Sequence, residues 1–215
     1  MKYNYSDIPE ITVRRLSVYF HILKCLKDNN VEFISSKQLA SLAHTNAVSV
    51  RKDFSYFGEF GKKHIGYNVN YLMKSIMKIL NISKKNSYII VGYGNLGTAI
   101  SFFPGFKDEN FFLKGIFDIK EEIIGKEPIE GVKVMHIDEL NDFVKENRIK
   151  FAILSTPMNV AQVVSEKLAK AGIKGILNMT GRHIRVPEKT LVFDINIVTG
   201  LEWLSYFISK KGDKK

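Results

Sequence analysis

Between Ser87 and Gly97 the chain reads Ser-Tyr-Ile-Ile-Val-Gly-Tyr-Gly-Asn-Leu-Gly, and no other stretch restricts its fold so tightly. Tyr88 to Val91 is a short apolar run rich in β-branched residues, as a strand buried in a parallel sheet requires. Gly92, Gly94 and Gly97 then supply G-x-G-x-x-G where that strand would pass into a helix beginning near Asn95. One glycine permits a tight turn, one lets the backbone approach a pyrophosphate, and one lets helix pack close on strand. The helix start would turn unpaired N–H groups and the positive end of its dipole toward that phosphate. The motif alone also describes ordinary glycine turns, so its surroundings decide. A second strand, Phe112 to Phe117, ends at Asp118, twenty-one residues after Gly97, where a ribose-binding acid belongs. Together these predict a dinucleotide-binding site.

The segments that follow alternate in type. Helix is predicted over Thr98–Phe103, Ile137–Glu146 and Val160–Ala171; strand is predicted at Val132–Met135, Phe151–Leu154, Lys174–Met179 and Leu191–Ile195. Such alternation implies an α/β fold with a parallel sheet. Asn81 to Asn86, polar and doubly lysine-bearing, marks a boundary in a chain whose 215 residues suit two domains.

Charge distinguishes the two parts. Residues 1–84 carry 13 Lys and Arg against 6 Asp and Glu, a net of +7; residues 85–215 carry 19 against 16, a net of +3. The excess in the smaller part is the electrostatic footprint of a polyanion binder, although solubility also favours charge. Position decides between them. Ile11 to Leu26 reads as an amphipathic helix built on Ile11, Leu16, Tyr19, Phe20, Leu23 and Leu26, followed by a β-prone piece, Val31 to Ile34. Ser35 and Gln38 have capping-box spacing at the start of a helix holding Leu39, Ala40, Leu42 and Ala43. After the short turn His44-Thr45-Asn46, with Asn46 as cap, a helix runs to about Tyr56. This is a helix-turn-helix pattern. In its second helix Ser49, Arg51, Lys52 and Ser55 alternate with Val48, Val50 and Phe54, so one face packs while the other offers donors to a major groove. Lys62 to Val69 reads as a hairpin with a basic tip at Lys62, Lys63 and His64, which completes a winged helix. Tyr71 to Leu80 is a further amphipathic helix.

A hydrophobic fraction of 45% with five prolines indicates a folded chain, and no apolar run approaches the length of a membrane span. Met1-Lys2 leads into polar residues without an apolar core of the kind that directs export. The lone Cys25 falls within an apolar helical pattern and reads as a small core residue. These features point to the cytoplasm. His136 and His183 are the candidates for acid–base chemistry beside a nicotinamide, but no Tyr-x-x-x-Lys, metal-ligand cluster or nucleophile elbow accompanies them. In the helix Gly200 to Ser209, Leu201, Leu204, Phe207 and Ile208 form an apolar face that must be buried on the chain's own sheet or on a partner.

Val50 to Lys62 closely resembles the signature of Rex, a family of bacterial redox-sensing transcriptional repressors. The resemblance extends over nearly the whole chain through Gly66-Tyr67, Gly92 to Gly97, Pro104-Gly105-Phe106, Phe117-Asp118, Ile124-Gly125, Ala171 to Asn178 and the terminal helix. It implies an N-terminal winged helix-turn-helix domain (1–84), a Rossmann-type parallel sheet domain (85–198), and a C-terminal dimerisation helix with a basic tail (199–215), swapped between the protomers of a homodimer. It also implies a sensor of the NADH/NAD⁺ balance that occupies a palindromic DNA operator and leaves it when NADH binds. By position, Ser49, Arg51 and Lys52 would face DNA, with Lys62 and Lys63 on the wing. Gly92, Gly94, Asn95, Leu96 and Gly97 would hold pyrophosphate, Asp118 the adenine ribose, and Thr156-Pro157 would lie where NAD(H) crosses the sheet. The chain departs from the family pattern at His21 (usually Arg), Phe103 (usually Tyr) and Asn196 (usually Asp), three groups that join the ligand-bound state together. Met179 to His183 also replaces a more apolar, proline-containing run beside the nicotinamide, and Lys62-Lys63-His64 stands for Lys-Arg-Gly. The expectation is a cytoplasmic, dimeric, NAD(H)-responsive repressor without catalytic or metal-binding residues. The rival is a small NAD-dependent oxidoreductase with a basic N-terminal domain.

Overall fold

The computed structural model describes residues 8–62 and 64–212 and divides into two compact units, Met1–Lys84 and Lys85–Lys215. The first unit contains α1 (Glu10–Asp28), β1 (Phe33–Ile34), α2 (Ser36–Leu42), α3 (Ala47–Ser55), β2 (Gly61–Lys62), β3 (Gly66–Asn68) and α4 (Val69–Ile79). Local chemistry starts each short helix. Ser35 Oγ accepts from the Gln38 N–H at 3.2 Å while Gln38 Oε1 accepts from the Ser35 N–H at 2.9 Å, a complete capping box. Asn46 and Asn68 cap α3 and α4, accepting from the N–H groups of Ser49 and Tyr71. Strands β2 and β3 form the antiparallel wing, and β1 adds to β3 on its other edge.

The core of this unit gathers Leu16, Tyr19, Leu23, Leu39, Val50, Leu72 and Ile76. Phe54 of α3 is its hub, meeting the rings of Tyr19, Phe60 and Tyr67 edge-on at 5.4, 5.7 and 5.1 Å. The packing revises three expectations. Ile11 is exposed and Thr12 buried, because Thr12 lies one turn before Leu16 and its hydroxyl is satisfied within the unit. Cys25 is exposed, since two residues past Leu23 the helix has turned to its outer side. Val48 is exposed as well, so the packed face of α3 rests on Val50 and Phe54.

The second unit is a doubly wound sheet in which every strand is parallel, in the order β6-β5-β4-β7-β8-β9. Its strands are β4 (Asn86–Val91), β5 (Phe111–Asp118), β6 (Val134–His136), β7 (Phe151–Leu154), β8 (Gly175–Asn178) and β9 (Leu191–Asp194). Alternate residues of β4 serve opposite faces: Ile89 and Val91 pack with Phe117, Leu154 and Leu168, while Tyr88 and Ile90 pack with Ile116, Val134 and Ile153. The helices are α5 (Asn95–Ser101), α6 (Gly105–Asp108), α7 (Leu140–Glu146), α8 (Ala161–Ala171) and α9 (Ile197–Gly212). Helix α5 ends at Ser101, short of the predicted Phe103, since a residue before proline disfavours helical backbone and Pro104 follows. Helix α9 begins three residues earlier than expected, with Asn196 Oδ1 accepting from the Val198 N–H at 3.0 Å as its cap.

Candidate functional site

In the first unit, Val48, Arg51, Lys52 and Ser55 line the outer side of α3, spaced by three, four and seven residues, and are all exposed. Ser49 is half-buried. Arg51 Nη1 donates to Ser36 Oγ at 3.1 Å, which steadies the guanidinium across the end of α2. A recess of about 550 Å³ separates α3 from the wing, with Ser36, Arg51, Lys62 and His64 on its walls. Lys62 is exposed at the end of β2; Lys63 lies outside the described residues.

A residue not foreseen from the sequence holds this helix in place. Asp53 is 1% exposed, and its carboxylate accepts four side-chain donors from α1. Arg15 donates twice, through Nε to Oδ2 and Nη2 to Oδ1, both at 2.6 Å; Tyr19 OH reaches Oδ2 at 2.8 Å and Thr12 Oγ1 reaches Oδ1 at 2.9 Å. Burial by itself would raise the Asp53 carboxyl. The hydrogen bonds from Arg15, Tyr19 and Thr12, with the charge of Arg15, outweigh it and hold the group below the usual aspartate range. The only signal in the sequence was a carboxylate between Lys52 and Phe54 on an otherwise cationic helix.

In the second unit the glycine loop joins β4 to α5. Gly92 has φ +96, and a Cβ there would sit 2.7 Å from the Thr156 nitrogen and 2.8 Å from the Ser155 carbonyl oxygen. A Cβ on Gly97 would collide with the Gly92 carbonyl oxygen, whereas the space around Gly94 is open. The crowded positions admit only glycine, and the open one leaves room for a ligand against bare backbone. Asn95 and Leu96 are exposed at the same rim. At the end of β5 the Asp118 carboxylate is fixed by three backbone donors: Tyr93 N–H to Oδ2 at 2.6 Å, and Ile119 and Lys120 N–H to Oδ1 at 2.7 and 3.1 Å. It stands beside the glycine loop.

Thr156 and Pro157 follow β7. Thr156 Oγ1 is buried with no hydrogen-bond partner, as a group awaiting a ligand would be. Ser155, which sequence reasoning missed, donates from Oγ to the Gly92 carbonyl at 2.8 Å and braces the loop. The two histidines serve local structure: His136 Nδ1 accepts from the Asp138 N–H at the start of a 3-10 turn, and His183 pairs with Asp194 at 3.2 Å. His21 is exposed on α1, and Phe103 is exposed with its ring edge-on to Phe106 at 5.6 Å.

Comparison with known proteins places both units. Residues 7–55 match the family described as "Putative DNA-binding protein N-terminus", and residues 83–181 match "CoA binding domain". A redox-sensing transcriptional repressor Rex from Carboxydothermus hydrogenoformans is 38% identical over 203 residues, covering 94% of this chain and 97% of the relative. Rex 1 of Thermotoga maritima is 39% identical over 206 residues, covering 96% and 98%. Among solved structures, RSP in complex with β-NADH superimposes with a TM-score of 0.88 at 34% identity, covering 96% of both chains. RSP in complex with β-NAD⁺ and operator DNA gives 0.88 at 35% identity, covering 95% and 94%.

Proposed function

This chain belongs to the Rex family of redox-sensing transcriptional repressors, and we propose that it holds a palindromic operator as a homodimer and releases it when NADH binds. The observation carrying this reading is the cradle of Gly92 and Gly97, whose backbone leaves no room for side chains, with the fixed Asp118 carboxylate at its rim. That cradle suits the pyrophosphate and ribose of NAD(H), and the orphan Thr156 hydroxyl supplies a further donor beside it. Gly94, Asn95, Leu96 and Pro157 complete its edge. The protein is a regulator rather than an enzyme, like the relatives it matches. Work on a DNA operator, as expected of a relative of these repressors, places it in the cytoplasm. The single chain leaves Leu201, Leu204, Phe207 and Ile208 of α9 exposed, which favours a second protomer as their cover. A winged helix bound at two half-sites requires the spacing between its two copies to match the helical repeat of DNA, so a rotation between protomers that breaks this match releases it. The test is to select the preferred duplex from a random pool and titrate NADH and NAD⁺ separately into the complex. A palindrome released by NADH at lower concentration than by NAD⁺ supports the reading; equal binding to all duplexes with no nucleotide response overturns it.

Two contacts follow from this assignment. Arg51 reads a base edge and Lys62 a phosphate, with Ser49, Lys52 and Lys63 supporting them. Arg51→Ala is then expected to cost about 1–3 kcal/mol and relax specificity at one operator position, while Lys62→Ala weakens all sequences alike and lowers the salt slope by about one. Uniform losses for both variants across a set of operator mutants would refute the placement of α3. Asp118 takes the adenine ribose, so a 2′-phosphate meets a carboxylate, and NADPH should bind about tenfold or more weaker than NADH. Lys120, whose backbone N–H donates to Asp118, is a cation on the same loop and works against that repulsion. Calorimetry giving equal affinities would remove Asp118 from the site.

A further inference from the structure

The strand order reverses beside β4, with β5 on one side and β7 on the other, and a dinucleotide lies across such a switch point. With one ribose at Asp118 after β5 and the pyrophosphate at the loop after β4, the second nucleoside is left with the ends of β7 and β8. Those ends carry Ser155 to Met158 and Met179 to His183, and the two loops touch. A Cβ on Gly181 (φ +73) would lie 3.6 Å from Met158 Cε, and Arg182 Nη1 lies 3.4 Å from the Met158 carbonyl oxygen. Two residues before Met158 is the unpartnered hydroxyl of Thr156. Arg182 therefore borders the crevice that the second nucleoside would enter. Its acceptor here is a neutral carbonyl, which leaves its charge uncompensated at that point, whereas the neighbouring His183 faces the Asp194 carboxylate.

From this arrangement we infer that Arg182 biases the site toward the reduced cofactor by repelling the cationic ring of NAD⁺. The inference rests on the dinucleotide reading above. The two forms share adenosine, both riboses and pyrophosphate; only the oxidised nicotinamide carries a positive charge. Attraction of Arg182 to the phosphates acts on both and cancels in the ratio of affinities, while repulsion acts on NAD⁺ alone. Between an exposed guanidinium and a unit charge in the crevice, where the effective dielectric is close to that of water, Coulomb's law corresponds to about a three- to fivefold preference. Salt should erode it, since the Debye length falls to about 3 Å at 1 M.

The test is calorimetry of the full chain, wild type, R182Q and R182K, with NADH and NAD⁺ at low and high salt. The expected result is a NADH-to-NAD⁺ affinity ratio about three- to fivefold smaller in R182Q, unchanged in R182K, and salt-dependent only where the charge is present. A ratio unmoved in R182Q, equal shifts for both ligands, or R182K behaving as R182Q would overturn the inference while leaving the dinucleotide site intact. Failure of the wild type to bind either nucleotide would instead overturn the dinucleotide reading, and this inference with it.

Discussion

Asp53→Ala is expected to destabilise the DNA-binding unit by about 3–5 kcal/mol, the cost typical of removing one partner from a buried ion pair. The side chain has no useful exposure to water, and its loss leaves the part-buried Arg15 guanidinium without its carboxylate and the hydroxyls of Tyr19 and Thr12 without their acceptor. Since a domain is stable by only about 5–15 kcal/mol, the change removes a large share of what holds α3 to α1. Amide exchange should therefore accelerate in α1 and α3 while β4 and β5 keep their protection. The same group makes this unit acid-sensitive. Its folded carboxyl titrates below the ordinary aspartate value, so its contribution is fully present above roughly pH 4, where an unfolded aspartate is already ionised, and is lost as pH falls below that. The Ala variant should lose this component of the acid transition. Unchanged exchange in α1 and α3, or a loss below about 1 kcal/mol, would show that the network is dispensable, since even a single neutral hydrogen bond contributes about that much.

A chain ending at Asn196 should be monomeric and bind the operator about 10²–10⁴ times more weakly, because two half-sites held by one dimer act as a linked pair. Helix α9 carries Ile197, Leu201, Leu204 and Ile208 along one side, between 47% and 70% exposed, with Trp203 and Phe207 in ring contact at 4.6 Å beside them. Each such side chain stabilises an interface by about 1.5–3 kcal/mol when fully covered, and an isolated helix of this length is marginal in water. Sedimentation and operator titration measure the two effects. A soluble dimer of undiminished affinity after the truncation would exclude α9 from the interface.

Much of the architecture was legible in short stretches of sequence, for a physical reason in each case. A strand buried on both faces must be an unbroken apolar run, as Tyr88 to Val91 is; a helix needs a cap, and Ser35 and Asn46 provide one through neighbours three residues on. The glycine spacing and the distance to Asp118 reflect the span of one strand, loop and helix, so those residues could be paired before their geometry was seen. Periodicity was less reliable where one helix turn offers two neighbouring candidates. It put Ile11 on the inner side of α1 and Val48 on the packed side of α3, yet the buried position in α1 is Thr12 and Val48 faces outward.

What the chain's local patterns determined, then, is the order of its elements, the helix-turn-helix with its cationic face, and the glycine loop with its acid. Tertiary structure alone decided which polar groups meet. Asp53 finds Arg15 and Thr12 across 38 and 41 residues, Ser155 finds Gly92 across 63, and Arg182 reaches Met158 across 24. Apolar burial is non-directional and leaves a periodic trace in sequence, whereas a hydrogen bond requires two particular atoms within about 3 Å, and only the completed packing of helices and strands brings such distant atoms together.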